Sequence, residues 1–299
     1  MQTVLLLSDK SSGSTALQYE LLRHPDIRAV GYTMHNDHET LYWVKAAVLL
    51  GQAPVDFVEG RLPMRPAEAR RDLEALLREN VPGWTAPASD RALVFDGWRA
   101  LCEANGPVFF EKSPHHLNSW AATSLLLNYA LTTDHDVRIV GLVRNPLAVL
   151  YSAWTRWLTP PCERQAYWLR TYRNLLAVEA LLGPERVRVV RYEDLIAAPA
   201  DRLRQLTDWL GVDPAPAVGS GLHARSAQKW TGDDSFDLQL DPAVRAIAER
   251  FGYTEAELHN PPKPGLAATE KARLALVRRY RVGKGRLKNR VLRPLLERR

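Results

Sequence analysis

The sequence predicts an α/β protein built on a central, mostly parallel sheet with helices packed on both faces. Three observations carry this. Short apolar segments alternate with helix-patterned segments along nearly the whole chain, the signature of strand–helix–strand units. The first apolar segment runs straight into a small, hydroxyl-rich loop and then a helix, Ser8-Asp9-Lys10-Ser11-Ser12-Gly13-Ser14-Thr15. The 299 residues are 46% apolar and 25% charged, enough to bury a sizeable core and too balanced for a disordered chain.

The elements follow in order. Thr3 to Leu7 is a buried-type strand, and the pattern from Ala16 predicts a helix ending at His24-Pro25. Ile27 to Gly31 reads as a short strand. Thr40 to Leu50 has helical apolar spacing, after a polar stretch containing His35 and His38. Residues 66–80 form an amphipathic helix that starts at Pro66 and stops before Pro82, and residues 89–104 form another. Val108-Phe109-Phe110 is a strand that leads into Glu111-Lys112-Ser113-Pro114, with a helix over 119–131. Val137 to Val143 is a strong strand ending at Arg144-Asn145-Pro146. Pro146 suits the first position of a helix over 147–157. A long helix over 163–182, a strand from Arg186 to Tyr192, and a helix over 200–210 with Gly211 as its C-cap complete the pattern. Residues 212–241 read as loop and 242–251 as helix. The break at Asn260-Pro261-Pro262-Lys263-Pro264-Gly265 divides a domain of residues 1–265 from a basic helical tail of 266–299.

Charge is concentrated in that tail. Between residues 270 and 299 twelve Lys/Arg stand against two Glu, a net of +10, which leaves the rest at −4 against +6 for the whole chain. The basicity therefore gives the main body no case for nucleic acid, and none is expected as partner. The tail instead has the character of a segment that meets an anionic membrane surface or an acidic partner. Two distant cysteines, Cys102 and Cys162, fit a reducing cytoplasm, and no run of 18 apolar residues occurs. Met1 leads directly into a strand without the apolar stretch of a signal peptide, so the expected location is cytoplasmic, with peripheral membrane contact as the extension the tail allows.

The loop at 8–15 has the chemistry of an anion cradle. Small residues let backbone N–H groups approach, and the following helix N-terminus adds partial positive charge. It is not a Walker A loop, because Ser14 rather than Lys follows Gly13. A plain strand–turn–helix connection with a Ser/Thr cap is the alternative reading. A second anion site is suggested at Arg144, whose planar fork at a strand end suits a phosphate, with Ser152 on the next helix as a hydroxyl donor.

Together these segments resemble the sulfotransferase family. Ser12-Gly13-Ser14-Thr15 resembles its 5′-phosphosulfate loop, and Arg144-Asn145-Pro146 with Ser152 its 3′-phosphate motif. Glu111-Lys112-Ser113-Pro114 resembles its E-K-[ST]-P element. Arg191-Tyr192-Glu193-Asp194-Leu195 resembles its Y-E-D-L segment, and Gln228-Lys229-Trp230 a late cofactor-contacting loop. The matches fall in family order over roughly residues 3–255. The resemblance implies a P-loop-like three-layer sandwich that binds 3′-phosphoadenosine 5′-phosphosulfate (PAPS) as co-substrate and needs no metal. It implies that Lys10 and the segment Ser11, Ser12, Gly13, Ser14 and Thr15 hold the 5′ end, and Arg144 and Ser152 the 3′-phosphate. Tyr192, Lys229 and Trp230 would meet the adenosine and its phosphate. One position departs: the family's Arg or Lys directly before Ser-Gly is Ser11 here. Either Lys10 takes that role through a shifted loop, or Lys112 does.

Transfer to a hydroxyl needs a general base. The segment Tyr32–Glu39 follows the second strand and supplies the candidates; the resemblance implies a Glu or His base, which ranks Glu39 first, His35 second and His38 third. The alternative is a solvated helix start in which Asp37 is the cap. The acceptor expected is a hydroxyl of a carbohydrate, glycolipid or other small metabolite. The rival functions are a P-loop small-molecule kinase, opposed by the missing Gly-Lys-Ser/Thr, and a non-catalytic nucleotide-binding scaffold.

Overall fold

A computed structural model describes residues 1–53, 64–157, 159–213, 222, 228–262, 276 and 280. Five strands form one fully parallel sheet in the order β2-β3-β1-β4-β5: β1 (Gln2–Ser8), β2 (Ile27–Arg28), β3 (Val108–Lys112), β4 (Asp136–Val143) and β5 (Val187–Arg191). The first strand is central. Its register, Leu6 beside Lys112 on one side and Ser8 beside Leu142 on the other, brings three strand ends to one edge.

Side-chain alternation along the strands creates the two faces. Val4, Leu6, Phe110, Val140 and Leu142 pack with α1 (Ser14–Leu21), α8 (Tyr192–Ala197) and α9 (Pro199–Leu210). Leu5, Leu7, Phe109, Ile139 and Val143 face the other way. There they join α2 (Tyr42–Leu49), α3 (Pro66–Asn80), α4 (Asp90–Ala104), α5 (Trp120–Thr132), α6 (Pro146–Trp157), α7 (Pro161–Leu182) and α10 (Pro242–Arg250). Strands buried on both faces read as near-continuous apolar runs, which is why Thr3–Leu7 and Val137–Val143 were legible. The result is the expected three-layer sandwich.

Three local expectations are corrected. Tyr192 is not a strand end but the first residue of α8, since β5 stops at Arg191. A short α11 (Glu255–Leu258) lies in a stretch without an assigned element, and a capping box between Thr254 and Glu257 starts it. Asp37 does not cap α2; its N-cap is Leu41, in a left-handed conformation at φ 53°. Gly211 caps α9 at φ 72° as expected. The boundary at 265/266 and the tail over 266–299, apart from positions 276 and 280, lie outside the described residues. Among the described residues no helix is long and apolar enough to cross a membrane.

Candidate active site

The carboxyl ends of β1, β3 and β4 meet beneath a cavity of about 640 Å³, where an open α/β sheet places its ligands. The loop after β1 forms its floor. Buried polar contacts hold that loop from behind. Asp9 accepts from the backbone N–H of Lys10 at 2.8 Å and pairs with the guanidinium of Arg164 at the start of α7. The Ser12 hydroxyl donates to Tyr172 Oη at 2.9 Å, and Tyr172 in turn donates to the Leu142 carbonyl at 3.1 Å. Ser12 is thus a fully buried anchor and Ser11 turns the chain at φ 65°. Gly13 follows at φ 90° as the N-cap of α1. A Cβ on Gly13 would collide with Cε2 of the Tyr192 ring, so this close approach requires glycine.

The second anion element closes on the same loop. Arg144 Nη1 donates to the Ser11 carbonyl at 2.8 Å, and Ser152 Oγ donates to Ser11 Oγ at 3.2 Å. The Arg144 guanidinium lies 4.7 Å from the Tyr192 ring centre, a cation–π contact that fixes its plane. Ala148, Tyr151, Ser152, Thr155 and Arg156 line the cavity at helical spacing along α6. Tyr151 donates to Asp233 Oδ2 at 2.9 Å, tying down the segment that brings Lys229 and Trp230 to the wall.

The third wall carries Glu39. Its Oε1 accepts from Lys112 Nζ at 2.7 Å, and the same ammonium reaches Thr15 Oγ1 at 3.3 Å. The Lys112 side chain is fully buried while Glu39 keeps 20% exposure toward the cavity. Burial pushes the Glu39 carboxyl above its ordinary value; Lys112 opposes the rise, and Glu111 and Asp37 add to it.

The structure thus brings Lys10, Ser11, Gly13, Ser14, Thr15, Glu39, Arg144, Ser152, Tyr192, Lys229 and Trp230 to one cavity. Lys112 stands just behind, joined to Glu39 and Thr15. Ser12 faces the core. His35 and His38 are not among the cavity-lining residues. His38 Nδ1 lies 3.0 Å from the Val30 carbonyl, while His35 neighbours His115, which burial, with Lys10, His116 and His35, holds well below the usual histidine range.

Comparison with known proteins gives the family. The sulfotransferase family model matches residues 4–216. The chain belongs to the sulfotransferase family. Carbohydrate sulfotransferase 3 of mouse and of human are 25% identical to this chain over 137 and 138 residues, 39% of its length. The match spans only 29% of those relatives. Among solved structures, the sulfotransferase domain of the Synechococcus PCC 7002 olefin synthase superposes with a TM-score of 0.57 at 21% identity. It covers 85% of this chain and 95% of that one. The sulfotransferase domain from the curacin biosynthetic pathway gives 0.55 at 19%, covering 84% and 97%. At these identities the likeness shows the shared P-loop-like fold.

Sequence reasoning left Tyr19, Asp37, Thr155, Arg156 and Trp157 unassigned as cavity residues. The signal for three of them was present: Thr155 and Arg156 continue the Ser152 face at i+3 and i+4. Tyr19 stands at i+4 from Thr15 in the same way. With them the wall carries Lys10, Arg144, Arg156 and Lys229 against Asp37 and Glu39, a cationic excess that fits a polyanionic ligand.

Proposed function

We propose that this sulfotransferase moves a sulfuryl group from PAPS to a hydroxyl of a carbohydrate, glycolipid or small metabolite. One observation carries the reading. The loop at 10–15 and the Arg144–Ser152 pair, which are 130 residues and more apart in sequence, meet at Ser11 in one cation-lined cavity. Such a cavity suits a nucleotide with anionic groups at both its 5′ and 3′ ends.

In this reading Lys10 and the N–H groups of the loop hold the 5′-phosphate, Arg144, Ser152 and Lys229 the 3′-phosphate, and Tyr192 and Trp230 flank the base. Glu39 takes the proton of the acceptor hydroxyl. The acceptor oxygen bonds to sulfur in line, and the bond from sulfur to the bridging oxygen breaks. The electron pair stays on the 5′-phosphate, where Lys10 and Lys112 stabilise the charge. The lower charge of a sulfuryl group relative to a phosphoryl group lets these cations serve without a metal. Burial favours Glu39 as base, because a raised pKa makes it a stronger proton acceptor than an exposed carboxylate. We place the reaction in the cytoplasm, with the basic 270–299 segment as the contact to an anionic membrane or acidic partner. Both cysteines are free, which suits a reducing compartment.

Thermal shift decides the co-substrate. The desulfated product, 3′-phosphoadenosine 5′-phosphate (PAP), should raise Tm without metal, and ATP with Mg²⁺ should do so weakly. Stabilisation by ATP–Mg²⁺ with no response to PAP would make the protein a kinase instead. Label transfer from PAPS to carbohydrate and lipid pools then identifies the acceptor; PAP binding without any transfer would leave a scaffold.

A further inference from the structure

Directly behind Glu39 lies a buried polar cluster that the transfer reaction as described does not use. Glu111 on β3 is 1% exposed, yet it is a carboxylate. Its Oε1 accepts from Thr40 Oγ1 at 2.8 Å and from the Ser113 hydroxyl. Both hydroxyls pass the constraint on. Thr40 Oγ1 accepts from the Tyr42 N–H at 3.1 Å, and Ser113 Oγ accepts from the Leu41 N–H at 3.0 Å. Leu41 sits at φ 53°, a left-handed backbone that a bulky residue keeps only where its surroundings over-determine it. The turn from Thr40 to Tyr42, immediately after Glu39, is therefore pinned to the end of β3 by one carboxylate.

The other oxygen of that carboxylate has no hydrogen-bond donor among the described residues. Oε2 faces His116 Nδ1 at 3.5 Å, and His116 is itself fully buried and driven toward its neutral form by burial. A buried carboxylate oxygen without a donor costs stability and calls for an explanation other than stability.

We infer that Glu111 is a positioning residue: through Thr40 and Ser113 it fixes where Glu39 stands against Lys112. Its negative charge also favours the acid form of Glu39. Glu39 and Lys112 come from different elements, and their 2.7 Å contact depends on the turn after Glu39 being held to the strand that carries Lys112. The charged groups acting on Glu39 are Lys112 and Glu111 from β3 and Asp37 from its own loop; Lys10 lines the same cavity. Lys112 favours the carboxylate form; Glu111 and Asp37 favour the acid.

The inference deepens the role proposed for Glu39, but its test does not depend on any acceptor or on PAPS. In full-length protein labelled with carboxyl-¹³C glutamate, the Glu39 signal, assigned by its loss in Glu39→Gln, is titrated in wild type and in Glu111→Gln. Glutamine keeps an acceptor for Thr40 and Ser113 and removes the charge, so the Glu39 midpoint should fall. Thr40→Val should displace the Glu39 resonance and broaden its titration, and Thr40→Ser should restore both. An unmoved midpoint in Glu111→Gln, or Thr40→Ser behaving as Thr40→Val does, overturns the inference. Should Glu111→Gln not fold, the two Thr40 variants decide the question. Failure of PAP to bind wild type would refute the proposed function and leave this titration intact.

Discussion

Lys112 Nζ stands 2.7 Å from Glu39 Oε1 and 3.3 Å from Thr15 Oγ1, so one buried ammonium joins the candidate base to the loop after β1. The loop, the strand end and the turn are distant in sequence, and the parallel register that sets Leu6 beside Lys112 is what unites them. The ion pair has the geometry of a strong charge-assisted hydrogen bond. It also sets the cation against the Thr15 hydroxyl of the loop.

Replacing Lys112 by Met tests that double role. The variant removes the group that most lowers the Glu39 pKa, so Glu39 should hold its proton to higher pH. In the proposed reaction it also removes a cation from the side of the leaving group. Sulfuryl transfer should fall about 100-fold or more, with a smaller loss of PAP affinity. Label transfer and calorimetry with PAP read the two effects apart. A variant that loses PAP binding entirely and retains the Glu39 titration would make Lys112 a donor-binding residue alone.

Stability should vary with pH in a direction fixed by Glu39. Its pKa is raised in the folded state, so the folded protein binds this proton more tightly than the unfolded chain does. The neutral carboxyl therefore favours folding below the ordinary glutamate pKa. That contribution disappears as pH climbs through the raised value. Glu39→Gln is neutral throughout and escapes the loss. Its Tm relative to wild type should drift upward as pH rises above the ordinary glutamate value, whatever fixed offset the unpaired Lys112 leaves. A flat difference across that range would mean that Glu39 titrates as an exposed carboxylate.

Gly13→Ala should destroy the donor site. The left-handed φ of 90° alone costs an L-residue about 1–2 kcal/mol, and the added methyl also collides with the Tyr192 ring, which Arg144 holds in place. PAP binding should vanish, and Tm should drop with it. Adding Tyr192→Ala relieves the collision but not the backbone strain, so the double variant should recover part of the stability and little of the binding. Additive losses would mean that the ring does not define the loop.

How much of this was legible follows from where each residue sits. The loop at 10–15, Lys112 and Arg144 all lie at the ends of apolar strands, and strand ends in a parallel sheet are where ligand chemistry gathers. Glu39 ranked ahead of the two histidines on resemblance alone; its place on the cavity wall depends on the Leu41 turn, whose left-handed backbone no propensity announces. Tyr192 read as strand because β5 passes into α8 without a break, although Glu193 and Asp194 in one helical turn were a start signal. The Thr254–Glu257 capping box was equally readable. The role of α7 was hidden for another reason. Arg164 and Tyr172 reach the loop across about 160 residues of sequence, and only the packing of the helix on β1 and β4 aims them.

The two tryptophans at the end of α6 make the same point and yield the last prediction. Trp154 and Trp157 are three apart and by spacing share a face, yet their surroundings differ. Trp154 packs on Phe236 at 5.7 Å between ring centres and near Tyr151, against the main core. Trp157 is 50% exposed, lines the cavity, and has Lys10 Nζ 5.7 Å from its ring. Trp154→Ala should cost about 3 kcal/mol through the void it leaves. Trp157→Ala should stay within about 0.5 kcal/mol of wild type, since little packing is lost. Its effect should fall on transfer instead, as a raised KM for the acceptor, because a flat exposed ring on the rim is a surface against which the acceptor can pack. Chemical denaturation separates the two variants, and steady-state kinetics with an acceptor identified by label transfer completes the test. Equal losses of stability would put both rings in the core, and unchanged kinetics in Trp157→Ala would remove that ring from the acceptor's path.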